Sequence, residues 1–316
     1  MPDNFTFPIK IGTRGSELAI AQANQVKNEI LKCNSDIKSG DIEIIPIKTS
    51  GDKFIDQNLS LIGGKGLFTK EIEEALLDKQ LDLAVHSMKD MPAELPDGLA
   101  IRAILEREEA SDAFISHKYM SLQHLPQGAV IGTSSIRRKA VLLNYRPDLK
   151  IIDFRGNINT RLRKLKEQNI DGIILATAGL KRVGISSVIT KRISSDIMVP
   201  AIGQGAVGVE CRVNDSKIQE IINKFNHADT EFCVGLERKF MLDIDGSCKT
   251  PIACYTKHIG EKVQMKASII HPDGSRKIDE TVLVPKVDAV AAIDKIVEKF
   301  KSEGADIIEF IKKING

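Results

Sequence analysis

The sequence predicts an α/β protein with a smaller α+β region towards its C-terminal end. Over the first two thirds of the 316 residues, short β-branched runs alternate with helical patterns, and after about Asp215 this alternation gives way to helices and a hairpin. Such an alternation is typical of α/β domains with largely parallel sheets. The composition, 42% hydrophobic and 28% charged, is that of an ordinary globular protein, and the length suggests two or three domains.

The elements follow in order from these patterns. The predicted strands are residues 9–12, 42–48, 81–85, 129–132, 150–154 and 173–176. The predicted helices are residues 16–32, with Ser16 as the N-cap, and residues 67–77, 136–143 and 160–168. In the C-terminal region we expect helices at 218–225 and 231–241, a hairpin joining 263–270 to 276–284, and a long helix from Asp288.

Composition and charge exclude several classes of partner. Lys plus Arg number 45 and Asp plus Glu number 43, and this balance argues against a dedicated nucleic-acid binder. No secretory pattern is visible, and no apolar run reaches the ~18 residues that a membrane span needs. Five scattered cysteines without a CxxC pair fit a reducing compartment. We therefore expect a cytoplasmic protein without nucleic-acid or membrane partners.

Charged and hydroxyl side chains follow several predicted strands. In open α/β sheets, ligands bind beyond the carboxyl ends of the strands. Lys89 and Asp90 follow the strand at 81–85, where Pro92 stops a helix from continuing. A solvated turn and a functional site are both open interpretations of this segment alone.

Arginines occupy the other strand ends. They are Arg14, Arg137, Arg138, Arg155, Arg161 and Arg182, accompanied by hydroxyl groups that include Thr133 and Ser135. Guanidinium groups bind carboxylates or phosphates through two parallel N–H bonds, so their convergence would create a site for a polyanion. The sequence lacks a P-loop and metal-ligand spacing, and the GxGxxG at 203–208 runs into a strand rather than a helix. Those glycines are better explained by close packing of the backbone.

One cysteine differs from the others. Cys248 lies in a loop of small residues next to Lys249, which would favour the thiolate. A reactive thiol and an ordinary loop residue are both open for it, whereas the other four cysteines are interpreted as packing residues.

Eight segments match one known family together and in order. They are residues 13–19 (TRGSELA), 63–68 (GGKGLF), 86–92 (HSMKDMP), 132–138 (GTSSIRR), 155–157 (RGN) with 160–161 (TR), 178–182 (AGLKR), 200–206 (PAIGQGA) and the Cys248 loop. On these motifs the sequence resembles the porphobilinogen deaminase (hydroxymethylbilane synthase) family of tetrapyrrole, and hence haem, biosynthesis. The resemblance covers nearly the whole chain.

The resemblance implies a fold and an activity. Two domains similar to class II periplasmic binding proteins, with mixed sheets, would comprise residues 1–107 plus 198–221 and residues 108–197, and an α+β domain would comprise 222–316. The implied enzyme is a transferase that deaminates four porphobilinogen units and condenses them head to tail on a dipyrromethane cofactor. Water then releases hydroxymethylbilane. The cofactor would be attached to Cys248 by a thioether bond, and a monomer is expected.

The resemblance also implies residue roles. Asp90 and Lys89 would be catalytic, with Asp90 stabilising the transient positive charge on a pyrrole ring and handling its protons. The implied cofactor contacts are Cys248, Lys89, Thr133, Ser135, Arg137, Arg138, Arg155, Arg161 and Gln204. The implied substrate contacts are Arg14, Ser16, Lys65, Phe68, Arg155 and Arg182, of which Lys65 and Phe68 belong to a Gly-rich segment that a plain loop would also explain. No metal is implied.

Two departures and two alternatives accompany this interpretation. Leu61 stands where some relatives carry a lysine, and Ser247 replaces the second glycine of the usual Gly-Gly-Cys. The main alternative is a non-catalytic cleft-type module that binds a small polyanion. RNA binding through the Arg-rich stretch 159–166 is the weaker one, because the net charge is only +2.

Overall fold

A computed structural model describes residues 7–53, 68–247 and 250–315. The chain divides into two compact units, a first unit of Met1–Glu108 with Ala206–Phe232 and a second unit of Glu109–Gly205 with Cys233–Gly316. Both units are discontinuous in sequence. The division of the chain into three domains stays a prediction.

The strands and helices are as follows in chain order. The strands are β1 (Ile9–Arg14), β2 (Ile42–Ile47), β3 (Leu83–Ser87), β4 (Leu99–Ile104), β5 (Asp112–Ile115), β6 (Val130–Gly132), β7 (Lys150–Ile152), β8 (Gly172–Ala176), β9 (Lys191–Arg192), β10 (Val207–Arg212), β11 (Ile252–Ile259), β12 (Lys262–Ile270) and β13 (Lys277–Pro285). The helices are α1 (Glu17–Cys33), α2 (Ser50–Lys53), α3 (Lys70–Leu77), α4 (Ile136–Tyr145), α5 (Ile158–Glu167), α6 (Thr177–Arg182), α7 (Ser216–Asn223), α8 (Ala228–Asp243), α9 (Ala289–Glu303) and α10 (Ala305–Asn315).

The first sheet belongs to the first unit and has the order β2-β1-β3-β10-β4. Strand β1 is parallel to β2 and β3, whereas β10 is antiparallel to β3 and β4. Ile9, Ile11 and Val85 project from one face into a core that Val26 and Ile30 of α1 complete. Full burial of such side chains stabilises the fold by ~1.5–3 kcal/mol each, so this face fixes the register of the sheet.

The second sheet belongs to the second unit and has the order β7-β6-β8-β5-β9. Strand β6 is parallel to β7 and β8, and β5 is antiparallel to β8 and β9. Phe114 on β5 packs with Ile131 and Leu142 on one face, and Ile173 packs with Phe154 on the other. Helices therefore cover both faces, as expected of a sheet whose strands are apolar on both sides.

The third sheet, β11-β12-β13, is antiparallel throughout and also lies in the second unit. Ile270 at the end of β12 joins the cluster that contains Phe114. Phe240 of α8 and Phe300 of α9 meet edge to face, with ring centroids 5.8 Å apart. Asn144 Nδ2 donates to Gly274 O in the β12–β13 turn at 2.9 Å, which ties α4 to this sheet.

The α/β class and the C-terminal α+β region are confirmed, and so is each predicted helix and strand, with bounds that differ by a few residues. The first two sheets are mixed, because β10 is antiparallel to both β3 and β4 and β5 is antiparallel to both β8 and β9; the expectation of largely parallel sheets from alternation alone is wrong for these pairs. Residues 177–182 form helix α6 directly after a strand, and the long C-terminal helix is interrupted at Gly304. In the part of the chain that the structure describes, no helix is long and apolar enough to cross a membrane.

Candidate active site

The first sheet brings Arg14 and Asp90 to one edge. Strands β1 and β3 are parallel neighbours, with Ile11 opposite Leu83, so their carboxyl ends lie on the same side. Arg14 is the last residue of β1, and Lys89 and Asp90 lie in a 3-10 turn directly after β3. The two predicted catalytic residues and a predicted substrate contact therefore lie at the carboxyl-end edge of this sheet, where ligands bind in open α/β sheets.

Arg14 is half-buried and stacks on an aromatic ring. Its guanidinium carbon lies 4.1 Å from the centroid of the Phe68 ring, a cation–π contact that orients the planar group. The prediction that Phe68 belongs near the site residues is consistent with this contact. Lys65, from the same predicted segment, lies outside the described residues.

Ser16 has a structural partner already. Its side-chain oxygen accepts the Ala19 N–H at 3.3 Å, which confirms the predicted N-cap of α1. The cap satisfies one of the N–H groups that a helix start leaves open. A contact between Ser16 and a substrate stays a prediction.

The turn that carries Asp90 is anchored by hydrogen bonds at the end of β3. Met88 N–H donates to Ala206 O at 3.0 Å, and Gln22 on α1 exchanges hydrogen bonds with Ser87 at 2.8 and 3.0 Å. His86 Nε2 lies 3.0 Å from Glu210 Oε2, and both side chains are buried. These contacts fix the end of β3 against α1 and β10.

The second sheet brings together the ends of β6, β7 and β8. Thr133 and Ser135 follow β6, and the Ser135 side chain accepts the Arg138 N–H at 3.4 Å as the N-cap of α4. Thr133 Oγ1 accepts the Ser135 N–H at 3.3 Å. The backbone N–H groups and hydroxyls at this helix start are of the kind that bind anions.

Arg137 and Arg138 are buried rather than open to solvent. Arg137 Nη2 donates to Asp112 Oδ2 at 2.8 Å, and Arg138 Nε donates to Asp112 Oδ1 at 2.9 Å. Burial on its own would raise the pKa of Asp112, but Arg137 and Arg138 hold it below its ordinary value. The carboxylate is therefore ionised and paired with both arginines. Contacts of these arginines with a cofactor stay a prediction.

The three other arginines of this edge are half-buried, and each donates to a neighbouring acceptor. These bonds are Arg155 Nε to Asp153 Oδ2 at 2.6 Å, Arg161 Nε to Gly156 O at 2.8 Å, and Arg182 Nη2 to Gly205 O at 2.7 Å. Burial would raise the pKa of Asp153, but hydrogen bonds from Ser134 and Arg155 lower it overall. A guanidinium carries five N–H donors in a fixed plane, so these bonds orient groups of the kind that bind carboxylates.

Gly156 makes the turn after β7 possible. Its φ of +120° lies in the region that favours glycine, and a Cβ built there would lie 2.6 Å from Thr160 Cγ2. The turn brings Arg155 back towards the start of α5, which Asn157 caps by accepting the Thr160 N–H at 2.8 Å. Arg155 and Arg161 therefore lie on the two sides of one tight turn.

Gln204 is buried in the same unit. Its Nε2 donates to Ala110 O at 2.6 Å and to Asp112 Oδ1 at 3.2 Å. The preceding Gly203 donates its N–H to Glu237 Oε2 at 2.7 Å. Gln204 thus belongs to the hydrogen-bond network of Asp112, and its contact with a cofactor stays a prediction.

The packing interpretation of the GxGxxG segment is confirmed. Gly203 and Gly205 have φ values of +67° and +90°, and a Cβ on Gly208 would lie 2.2 Å from Met88 Sδ. The segment leads into strand β10 and not into a helix, which rules out a dinucleotide fingerprint.

Cys248, the predicted attachment point, lies outside the described residues together with Lys249. The flanking residues are described: Ser247 N–H donates to Thr250 Oγ1 at 3.0 Å, and Thr250 Oγ1 donates to Ser247 O at 2.7 Å. Cys211, Cys233 and Cys254 are buried, as expected of packing residues, and burial raises the pKa of Cys211 to about 11.

Sequence reasoning missed Asp112, the His86–Glu210 pair and Glu237. His86 stands in a quoted motif without an assigned role, and Asp112 is a single acid at the start of a four-residue strand. Only the tertiary pairing identifies them. Across residues 7–53, 68–247 and 250–315, no group of three or more His, Cys, Asp or Glu side chains could hold a metal ion.

Comparison with known proteins gives the family. A model described as "Porphobilinogen deaminase, dipyromethane cofactor binding domain" matches residues 9–220, and one described as "Porphobilinogen deaminase, C-terminal domain" matches residues 231–302. The chain is 46% identical to the porphobilinogen deaminase of Geobacter sulfurreducens, over 94% of this chain and 92% of that protein. It is 47% identical to that of Syntrophomonas wolfei, over 85% and 87%, and 42% identical to that of Paracoccus denitrificans, over 98% and 99%.

Among solved structures, the methionine-binding protein MetQ aligns with a TM-score of 0.42 and 17% identity, over 73% of this chain and 94% of its own. The family models cover most of the sequence, and the relatives are similar over nearly their full lengths. The chain therefore belongs to the porphobilinogen deaminase family.

Proposed function

We propose that this protein is a porphobilinogen deaminase. It would deaminate four porphobilinogen units in turn, join them head to tail on a dipyrromethane primer, and release hydroxymethylbilane by hydrolysis. The observation that carries the proposal is the match of the cofactor-binding domain model to residues 9–220, a span that contains all the strand-end residues described above. Family membership favours this enzyme over a non-catalytic polyanion-binding module.

The side chains of the second sheet's edge suit the substrate chemistry. Each porphobilinogen carries an acetate and a propionate, so a primer with a growing chain presents many carboxylates. Arg155, Arg161 and Arg182 are half-buried, and their bonds to Asp153, Gly156 and Gly205 orient the guanidinium groups. Such groups bind carboxylates through paired N–H donors, which lysine cannot imitate. Thr133 and Ser135 add hydroxyl donors at the start of α4.

These arginine and hydroxyl donors also fit a dipyrromethane, which bears the same acetate and propionate groups. By the family pattern, Cys248 would hold it through a thioether, and Lys89, Thr133, Ser135, Arg137, Arg138, Arg155, Arg161 and Gln204 would contact it. When bound, the dipyrromethane supplies the terminal pyrrole to which the first porphobilinogen unit is joined. Arg14, Ser16, Lys65, Phe68, Arg155 and Arg182 would contact the incoming substrate.

Asp90 would be the catalytic acid, and it lies in the first compact unit of the chain. When ammonia leaves the aminomethyl group of porphobilinogen, its pyrrole ring gains positive charge, and a fixed carboxylate stabilises that charge without moving. The 3-10 turn and the bond from Met88 N–H to Ala206 O hold Asp90 at the end of β3. Asp90 would also accept a proton as each ring regains its aromatic state, and Lys89 beside it would bind a substrate carboxylate.

We expect the protein to act in the cytoplasm, because its cysteines are scattered and three of them are buried as free thiols. We also expect a monomer.

The test is an intact mass measurement combined with a turnover assay. The purified protein is expected to exceed its sequence mass by one dipyrromethane and to convert porphobilinogen into hydroxymethylbilane. The variant Cys248→Ser is expected to lose both the extra mass and the turnover, whereas the matched control Cys33→Ser keeps both. An active wild-type protein without the extra mass would contradict the attachment, and a protein without turnover would contradict the function.

A further inference from the structure

We infer that Asp112 is a positioning residue of the anion-binding edge, which orients Arg137 and Arg138 for one carboxylate of the cofactor. The inference rests on the proposed function and names a residue to which no motif assigned a role. Asp112 is fully buried, and it is the first residue of β5, opposite Ala176 at the end of β8. Its carboxylate therefore lies at the same edge as the starts of α4 and α6.

The carboxylate is bonded on both oxygens. Oδ2 accepts Arg137 Nη2 at 2.8 Å, while Oδ1 accepts Arg138 Nε at 2.9 Å and Gln204 Nε2 at 3.2 Å. Arg138 Nη2 also lies 2.7 Å from Oδ1. One side chain thus connects the first turn of α4 with the Gln204 segment.

Each arginine has a second anchor on the backbone. Arg137 Nη1 donates to Val199 O at 2.8 Å, and Arg138 Nη1 donates to Ile174 O at 2.9 Å. A planar guanidinium held at two points has a fixed plane, so the directions of its remaining N–H groups are fixed as well. Asp112 supplies the shared point for both planes.

The charge of this group is unbalanced. Two guanidinium groups and one carboxylate leave a net charge of +1, and Gln204 is neutral. A buried net charge is unfavourable unless a second ion compensates for it. The group is therefore suited to accept a single further carboxylate, and the hydroxyls of Thr133 and Ser135 lie at the same helix start. Acetate and propionate groups of a dipyrromethane meet this requirement.

Two effects of Asp112→Asn have opposite signs, which makes the experiment decisive. Loss of the negative charge raises the local charge to +2 and on Coulombic grounds alone would strengthen anion binding. Loss of the shared anchor frees the guanidinium planes and weakens it. If Asp112 positions the arginines, the fraction of purified protein that carries the dipyrromethane mass falls roughly tenfold, as expected when charge-assisted bonds are lost.

Two control variants separate positioning from stability. Asp148→Asn removes an ion pair with Arg146 at the other end of α4, and Glu210→Gln removes a buried carboxylate from the first sheet. Both are expected to keep the wild-type fraction of cofactor-bearing protein. An unchanged or increased fraction in Asp112→Asn overturns the inference, and so does an equal loss in Glu210→Gln, because a general loss of stability would then explain the effect.

A second measurement needs no folded Asp112 variant. In the wild-type holoenzyme labelled with 15N-arginine, the Arg138 Nε–H is expected to exchange slowly with solvent, and Arg138→Lys assigns the signal by removing it. A rapidly exchanging signal overturns the inference. Wild-type protein without any dipyrromethane mass contradicts the proposed function instead, so the two failures are distinguishable.

Discussion

The first and second sheets share one plan but carry different chemistry. Each has three parallel strands followed by one antiparallel strand and an edge strand, in the orders β2-β1-β3-β10-β4 and β7-β6-β8-β5-β9. The carboxyl ends of the first sheet carry Asp90 with Lys89, and those of the second sheet carry arginines. The same strand order thus carries a carboxylate with a lysine at this edge in one unit and several arginines in the other.

The antiparallel strand of each sheet offers a second point of comparison. Each carries a fully buried carboxylate, Glu210 on β10 and Asp112 on β5. Asp112 is the first residue of its strand and lies at the ligand edge, whereas Glu210 is the fourth residue of its strand and lies opposite Ala84 within the sheet. Position along the strand therefore separates a carboxylate that orients binding groups from one that stabilises the sheet.

The largest effect is expected for Asp90→Asn. Turnover falls roughly a thousandfold, because the amide neither stabilises the positive ring nor accepts its proton. Circular dichroism and the dipyrromethane mass are expected to stay as in the wild type. The exposed acid of the same segment provides the control, since Asp97→Asn keeps normal turnover; activity near the wild-type level in Asp90→Asn would show that the first sheet does not carry the catalytic acid.

Glu210→Gln is expected to change stability without changing catalysis. Loss of the charged partner of His86 lowers the free energy of unfolding by about 2 kcal/mol, measured by urea denaturation. The KM and kcat of the folded protein stay unchanged, because the bond from Met88 N–H to Ala206 O and those between Gln22 and Ser87 still hold the turn of Asp90. A tenfold change in KM would contradict the distinction between the two buried carboxylates.

A smaller effect is expected for Arg161→Lys. The fraction of purified protein that carries the dipyrromethane mass falls about threefold, because lysine keeps the charge but loses the paired N–H donors. Arg163→Lys is the matched control on the same helix, where the arginine is exposed and pairs with Glu167 at 3.0 Å. Equal fractions of cofactor-bearing protein in the two variants would argue against anion binding at this edge.

The smallest effect concerns pH. Burial raises the pKa of Glu73, and the nearby Glu210 raises it further, while a hydrogen bond with Thr69 and the charge of His86 lower it. When a carboxyl has a higher pKa in the folded protein than in the unfolded chain, its ionisation destabilises the folded state. The free energy of unfolding therefore falls as the pH rises from the unfolded pKa, about 4.5, through the folded value. Glu73→Gln is expected to remove this loss, so its advantage over the wild type in unfolding free energy grows between pH 4.5 and 7. An advantage that shrinks over that range would contradict the raised pKa.

Much of this arrangement was predictable from the sequence, because local signals determined it. Ser16 was identified as an N-cap, and the strand-end positions of Asp90 and Arg155 followed from hydrophobic runs that end at charged residues. Strands such as β5 and β9 were missed because four and two residues are too few for a periodic pattern. Helix α6 was missed because it begins without a gap after β8.

The pairing of Asp112 with its arginines could not be predicted for a different reason. It joins residues 25 and 26 positions apart through an antiparallel strand whose neighbour, β8, comes later in the chain. No local pattern determines such a contact. The motif at 132–138 identified the arginines but gave no sign that they are buried and already paired.

The position of β10 also affects how the chain folds during synthesis. This strand lies between β3 and β4, yet it is made only after the whole of the second sheet. A ribosome that has released the first 108 residues has produced a sheet without its fourth strand, so β3 and β4 present unpaired N–H and C=O groups to other nascent chains. Translation must reach residue 212 before β3, the strand that Asp90 follows, gains its second neighbour in the sheet, and a transcript cut short before that point yields a fragment prone to aggregation.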